Sequence, residues 1–190
     1  MLLFFDTETT GLPQDSNALV TNLKHWPRLV QVAWLVSDEK GAEISRHNFI
    51  IKPEGFIIPK DAVRLHGITT ERAIQEGVPI IDVLKKFSDS INQVDILIAH
   101  NIGFDLKVVG AEFVRKNIKS NLFEKTKICT MIASTNYCQI PGSYGYKWPT
   151  LEELHWKLFK SKVKVTHNAP EDVKLCANCF FELKRIGVID

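Results

Sequence analysis

The sequence predicts an α/β layer architecture in which a mixed sheet is covered by helices. Three observations carry this reading. Short apolar strands fill the first third of the chain, helical periodicity takes over near residue 79, and from residue 95 strands and helices alternate.

The first strand is "LLFFDTE" at the amino-terminal end, four apolar residues running into acids. "LVQVAWLVSD" at 29–38 and "EISRHNFIIKP" at 43–53 lie either side of a turn at Glu39 to Gly41, the pattern of an antiparallel hairpin following the first strand. "PIIDVLKKFSDSIN" from 79 repeats apolar residues at about every third or fourth place, with Pro79 suited to a first helical turn. "DILIAH" at 95–100 is a continuous apolar strand, and "NIGFDLKVVGAEFVRKN" reads as a helix with Asn101 as its cap. A short strand, "KICTM", is followed by two helices, "TLEELHWKLF" and "NAPEDVKLCANCFFELKRI". Between them "PGSYGYKWP" at 141–149 is rich in glycine and aromatics, matches no phosphate-cradling template and is treated as a loop.

The totals bound the class. At 190 residues, without an internal repeat or long linker, the chain fits one domain over 1–190. Hydrophobic residues at 45% and charged residues at 24% exclude a disordered chain and a membrane span, and no window approaches the roughly 20 apolar residues that a span needs. "MLLFF" is too short for a secretory core, so no membrane partner is expected and the default address is the cytoplasm. Cys129, Cys138, Cys176 and Cys179 then read as reduced thiols, and the C-x-x-C pair at 176 and 179, inside a helix and lacking a second pair, as small core residues. A net charge of +2 does not by itself announce a nucleic-acid binder. Two basic runs, 115–127 and 157–164, suit either a solvated face or a phosphate track. No Walker A, G-x-S-x-G or G-x-G-x-x-G pattern is present, which removes the usual support for a triphosphatase, a serine hydrolase or a dinucleotide oxidoreductase.

The acids carry the chemistry. Side chains two apart on a strand share a face, so Asp6 and Glu8 converge at the carboxyl end of the first strand, where open α/β sheets place ligands. Two carboxylates about 4 Å apart repel by about 4 kcal/mol at an effective dielectric near 20, which a hard divalent cation would turn into ligation. An N-cap or exposed turn is the plain alternative for the pair. Asp105 lies in the first turn of the helix after "DILIA", where complementing the helix dipole would also explain it. Asp172 heads an apolar stripe of Leu175, Cys176, Cys179 and Leu183, an unusual place for an unpartnered acid, and His167 precedes it by five positions.

"FDTETTGL", "HNIGFD" and "HNAPED" together resemble the three exonuclease motifs of the DnaQ-like, DEDDh group of 3′–5′ exonucleases, which includes the proofreading subunit of bacterial replicative DNA polymerase. "VRLHGIT" at 63–69 and "PTLEEL" resemble the intervening segments, so the likeness spans almost the whole chain. The resemblance implies a ribonuclease-H-like fold with a mixed five-stranded sheet flanked by helices. It also implies two divalent ions, Mg²⁺ or Mn²⁺, held by Asp6, Glu8, Asp105 and Asp172, with His167 as general base. An unperturbed pKa of about 6.5 suits histidine to taking a proton near neutral pH. Thr9, Gly11 and Leu12 match the family's pocket for the terminal nucleotide, and His66, Asn101 and Phe104 its substrate groove, although Leu12 and Phe104 would serve equally as core. The stretch 13–31 is longer than the family's connection after the first motif, so the pocket floor is expected to be built differently.

The implied activity is release of nucleoside 5′-monophosphates from a nucleic acid with a free 3′ end, with single-stranded or frayed DNA as the first choice of substrate. Two alternatives stay open: an exoribonuclease or oligoribonuclease of the same group, and a polymerase-associated nucleic-acid-binding module. A DNA polymerase or repair factor stays open as a protein partner. Because the chain stops directly after its last helix, a stand-alone enzyme, or one docked through its folded surface and not a tail, is expected.

Overall fold

The computed structural model describes residues 1–163 and 167–189. Lys164, the last lysine of the 157–164 run, and the terminal Asp190 lie outside the described residues. Five strands form one sheet: β1 (Leu2–Thr9), β2 (Leu29–Ser37), β3 (Glu43–Ile50), β4 (Ile96–Ala99) and β5 (Thr126–Cys129), in the order β3-β2-β1-β4-β5. β2 pairs antiparallel with both β1 and β3, whereas β1, β4 and β5 run parallel. The expected mixed five-stranded sheet is therefore present, and β1 is its central strand.

That position explains "LLFF". A central strand covered on both sides needs apolar residues at every place. Leu3 and Phe5 enter one core with Trp34 and Phe87, whereas Leu2 and Phe4 enter the other with Cys176 and Phe180. By the same alternation Asp6 and Glu8 follow Leu2 and Phe4, and Thr7 follows Leu3 and Phe5. A bulge between Glu8 and Thr9, where the partner jumps from Gln31 to Leu29, turns the end of the strand.

The helices in chain order are α1 (Lys60–His66), α2 (Thr70–Glu76), α3 (Ile80–Asn92), α4 (Ile102–Arg115), α5 (Thr130–Ala133), α6 (Thr135–Cys138), α7 (Leu151–Phe159) and α8 (Ala169–Arg185). α3 and α4 cover the first face, where the Trp34 indole donates to Ser90 Oγ at 3.0 Å and its ring meets Phe87 at 5.0 Å. α8 covers the other, with Phe180 edge-on to Phe4 at 5.3 Å. α1 and α2 pack as a satellite on Val30 through Ala62, Ile68 and Ala73. No helix among the described residues is long and apolar enough to cross a membrane.

Two readings need correction, and two further helices went unread. Two seven-residue helices, α1 and α2, occupy a stretch with no legible period; their ends are set by local chemistry, the Thr69 side chain accepting from Arg72 N–H and Gly67 closing α1 at a φ of +73°. The stretch "PGSYGYKWP" is not a plain loop, because β6 (Pro141–Gly142) and β7 (Gly145–Tyr146) pair as a tight hairpin. Asn101 does stand at the start of α4, but in the left-handed region at a φ of +71° with no capping bond from its side chain. It makes the turn from β4 into the helix instead, a conformation asparagine tolerates.

The long stretch after β1 is held by a buried charge cluster. Glu112 on α4 is fully buried, and its Oε1 accepts from Arg28 Nε at 2.8 Å, Arg115 Nη1 at 2.9 Å and Leu29 N–H at 3.1 Å. Arg115 donates onward to the carbonyls of Leu23 and Trp26, both at 2.7 Å. The first residue of the 115–127 basic run thus serves the interior and not a phosphate. Glu112→Gln removes the counter-charge from two guanidinium groups, and urea titration should show a loss of about 3 kcal/mol. A loss under about 0.5 kcal/mol, the scatter of ordinary surface changes, would mean the cluster does not hold this segment.

Candidate active site

Three elements deliver acids to one place. β1 carries Asp6 and Glu8 on the face covered by α8. Only His100 and Asn101 separate the end of β4 from α4, so Asp105 in its first turn emerges beside the end of β1. There the Thr7 hydroxyl and N–H both donate to Asp105 Oδ1, at 2.6 and 3.0 Å, which fixes that carboxylate from the opposite side of the strand. α8 starts with Pro170 in its first turn and Asn168 as N-cap, and the Asp172 N–H donates to the Asn168 carbonyl at 3.1 Å. Glu8, Asp105 and Asp172 are buried, and Asp6 is partly so.

All eleven residues expected at the site line a single cavity of about 690 Å³: Asp6, Glu8, Thr9, Gly11, Leu12, His66, Asn101, Phe104, Asp105, His167 and Asp172. Leu12 is 85% exposed there and so is no core residue. Phe104 does both jobs, packing on the main core and facing the cavity. Gly11 holds a φ of +143°, a region closed to residues with a Cβ, and its carbonyl accepts from the Thr9 hydroxyl at 2.6 Å. His66 accepts from Ile68 N–H through Nδ1 at 3.1 Å, which leaves its buried Nε2 without a partner. Burial lowers the His66 pKa, with the Thr9 backbone opposing that shift and His167 adding to it.

His167 is exposed at the lip, with a left-handed φ of +48°. Among the described residues, Glu8, His167 and Asp172 each offer a ligand atom within 4.8 Å of the others. Asp6 and Asp105 stand outside that tightest trio yet inside the same cavity.

The electrostatics are those of acids confined together. Burial is the largest cause of every shift. It raises Asp6 well above the usual carboxylate range, helped by the charges of Asp105, Glu8 and Asp172. Glu8 rises to about 8 through burial and the charges of Asp172 and Asp105. Asp105 rises to about 7 despite the opposing Thr7 hydrogen bonds, and Asp172 to about 6, with Glu171 adding to burial. The neighbouring charges that act on Asp6 and Glu8 are all negative. Four oxygen-donor groups held together, two of them beside the His167 imidazole, fit a hard divalent cation. This is a candidate acidic metal site.

Sequence reasoning missed the rest of the walls. Pro59, Asp61 and Leu65 come from α1 and its approach. His100, Met131, Trp148 and Pro149 line an adjoining cavity of about 560 Å³ that shares Asp6, Asn101, His167 and Asp172 with the first. His100 was legible in part, since it precedes Asn101 in the second acidic motif. A carbonyl only accepts, so the His100 Nε2 contact to Pro149 O at 3.0 Å places its proton there and leaves Nδ1 to accept from Thr130 Oγ1 at 3.0 Å.

Comparison with known proteins comes to the same region of protein space. The RNase_T family model, described as an exonuclease, matches residues 3–180. The DNA polymerase III subunit epsilon of Treponema pallidum (strain Nichols) is 26% identical over 179 residues, covering 93% of this chain and 73% of that protein. The PolC-type DNA polymerase III of Mycoplasmopsis pulmonis (strain UAB CTIP) is 32% identical over 115 residues, 60% of this chain but 7% of that protein. Among solved structures, Escherichia coli exonuclease I in complex with a dA16 oligonucleotide matches with a TM-score of 0.74 at 20% identity. That match covers 97% of this chain and 40% of exonuclease I, and it shows the shared ribonuclease-H-like fold.

The raised acids make stability depend on pH. Each is protonated more readily folded than unfolded, so their contribution is complete below about pH 4, the unfolded carboxylate range, and is lost as pH rises through 6 to 8. In chelator the melting temperature should fall across that window through these groups, and Glu8→Gln should flatten the fall. Added Mn²⁺ should raise the melting temperature more at pH 8 than at pH 5, and an equal rise at both would mean the acids do not bind it.

Proposed function

Because the chain belongs to the RNase_T exonuclease family, we propose that it is a metal-dependent 3′–5′ exonuclease releasing nucleoside 5′-monophosphates from single-stranded or frayed DNA. One observation carries the reading: four acids from three separate elements meet in one cavity whose other walls suit a nucleotide. The oligonucleotide bound by exonuclease I supports DNA as the substrate, and the likeness to epsilon and PolC makes a DNA polymerase the first protein partner to test. The unit of function is a single exonuclease domain, working in the cytoplasm.

Asp6, Glu8, Asp105 and Asp172 would hold two divalent cations, Mg²⁺ or Mn²⁺, which when bound supply Lewis-acid activation of water and stabilisation of the departing 3′ oxygen. The protein does the positioning. Thr7 locks Asp105 through two hydrogen bonds, so one acid of the four cannot swing away from an incoming phosphate. His167 faces both the cavity and solvent, which suits it to take a proton from the attacking water and pass it out. On the far side the Gly11 backbone admits close approach of the terminal nucleotide. Leu12 and Phe104 offer it apolar contact, and the unpartnered His66 Nε2 offers it a hydrogen bond.

With Mg²⁺ or Mn²⁺, 5′-labelled single-stranded DNA should shorten stepwise from its 3′ end, and chelator or Asp6→Ala should abolish the ladder. Parallel duplex DNA and RNA substrates rank the preference. His167→Ala should lower turnover by about 10²- to 10⁴-fold with metal affinity retained. A wild type that leaves every substrate intact with metal present would overturn the proposal, and a His167→Ala loss of metal affinity equal to that of Asp172→Ala would reassign His167 as a ligand.

A further inference from the structure

We propose that the β6–β7 hairpin and the exposed side of α7 form a stacking platform for the single strand upstream of the cleaved nucleotide, an inference that rests on the nuclease reading above. Tyr144 is fully exposed, Trp148 is 64% exposed, and Tyr146 and Trp156 are each 50% exposed. Large rings are ordinarily buried, so four of them held in water within thirteen residues mark a surface that something covers.

The rings stand on fixed backbone. Pro141 pairs with Tyr146 across the hairpin, and the Lys147 N–H closes it on the Ile140 carbonyl at 2.9 Å. His100 ties the Pro149 carbonyl to the end of β4, and a capping box between Thr150 and Glu153 sets the first turn of α7. Little ordering would remain to be done when a strand binds.

Continuity with the acids identifies the occupant. Trp148 and Met131 line the cavity that shares Asp6, His167 and Asp172 with the nucleotide pocket. Glu152 borders both that cavity and a third one of about 530 Å³, which Trp156, Lys157 and Lys162 line. A strand with its scissile phosphate at the acids and its terminal nucleotide against Gly11 and Leu12 therefore leaves past Trp148 toward Trp156. Lysines accompany the route. Lys157 and Lys162 edge the third cavity beside Glu152 and Glu153, of which Glu153 is paired with Lys147, and Lys160 Nζ sits 5.0 Å over the Trp156 ring. Rings for bases beside lysines for phosphates is the pattern of sequence-tolerant single-strand binding.

The test is fluorescence anisotropy of labelled oligothymidylates in chelator, from the dinucleotide to lengths that reach past the hairpin. Wild-type affinity should rise with length. Tyr144→Ala, Tyr146→Ala and Trp156→Ala should each weaken the long strand by about 5- to 100-fold, with the loss concentrated at length, and Trp156→Phe should retain most of the binding. Lys160→Ala with Lys162→Ala should reduce the salt dependence. Length-independent wild-type binding, or equal losses at every length, would overturn the platform. So would a dimer dispersed by Tyr144→Ala with oligonucleotide binding unchanged, which would assign this face to a second copy of the chain. Hydrolysis of the same series with Mn²⁺ separates the two ideas. Length-dependent binding without cleavage retains the platform and sinks the nuclease reading; cleavage with KM independent of length does the reverse.

Discussion

The structure turns on confining four negative charges at the carboxyl end of one strand. Asp6, Glu8, Asp105 and Asp172 belong to β1, α4 and α8; burial pushes each toward its protonated form, and neighbouring negative charges add to it for Asp6, Glu8 and Asp172. Acids so placed would spread apart on a soft frame. Here the frame is the central strand of the sheet, packed on both faces, with Leu3 and Phe5 in one core and Leu2 and Phe4 in the other. The repulsion is stored in a place that cannot relax, and a divalent cation is the natural ligand for it.

Both flanks of the acids are built to the same standard of rigidity by different means. On the Gly11 side, Glu112 and Arg115 pin the long segment after β1, with Arg115 bonded to the backbone at Leu23 and Trp26. On the other side, the Thr130–His100–Pro149 chain joins the sheet to the base of the hairpin. A cavity whose floor is a strand and whose sides are braced separately can hold a flexible polymer in one register. Positioning of that kind accounts for a large share of catalysis when the reacting phosphate must line up with an attacking water.

Legibility followed the range of the forces involved. α8 was readable because its burial writes a period into the sequence, and β1 because burial on both faces writes an unbroken apolar run. α1 and α2 were not, because seven residues hold barely two turns, and their packing on Val30 comes from a strand far away in the chain. The hairpin was missed because its rings point to water and leave no alternation to read. Arg115 looked like part of a solvated basic run, since its partner Glu112 and the carbonyls it ties down come together only once the 13–28 segment folds over α4. The cysteines were read well: Cys176 and Cys179 are buried free thiols, and burial pushes Cys179 up to about 12.

By itself the amino-acid order determined the strands and long helices, the mixed sheet, and the acidic motifs with their histidine, because these depend on neighbours a few residues apart and on a resemblance written in short motifs. Only the tertiary structure decided that eleven residues spread from Asp6 to Asp172 share one cavity, that Thr7 grips Asp105, that His66 presents an unpartnered nitrogen, and that Trp148 stands beside the acids. Such facts depend on distances between segments about a hundred residues apart. Those distances are set by the packing of α4 and α8 against opposite faces of β1, which no local pattern records.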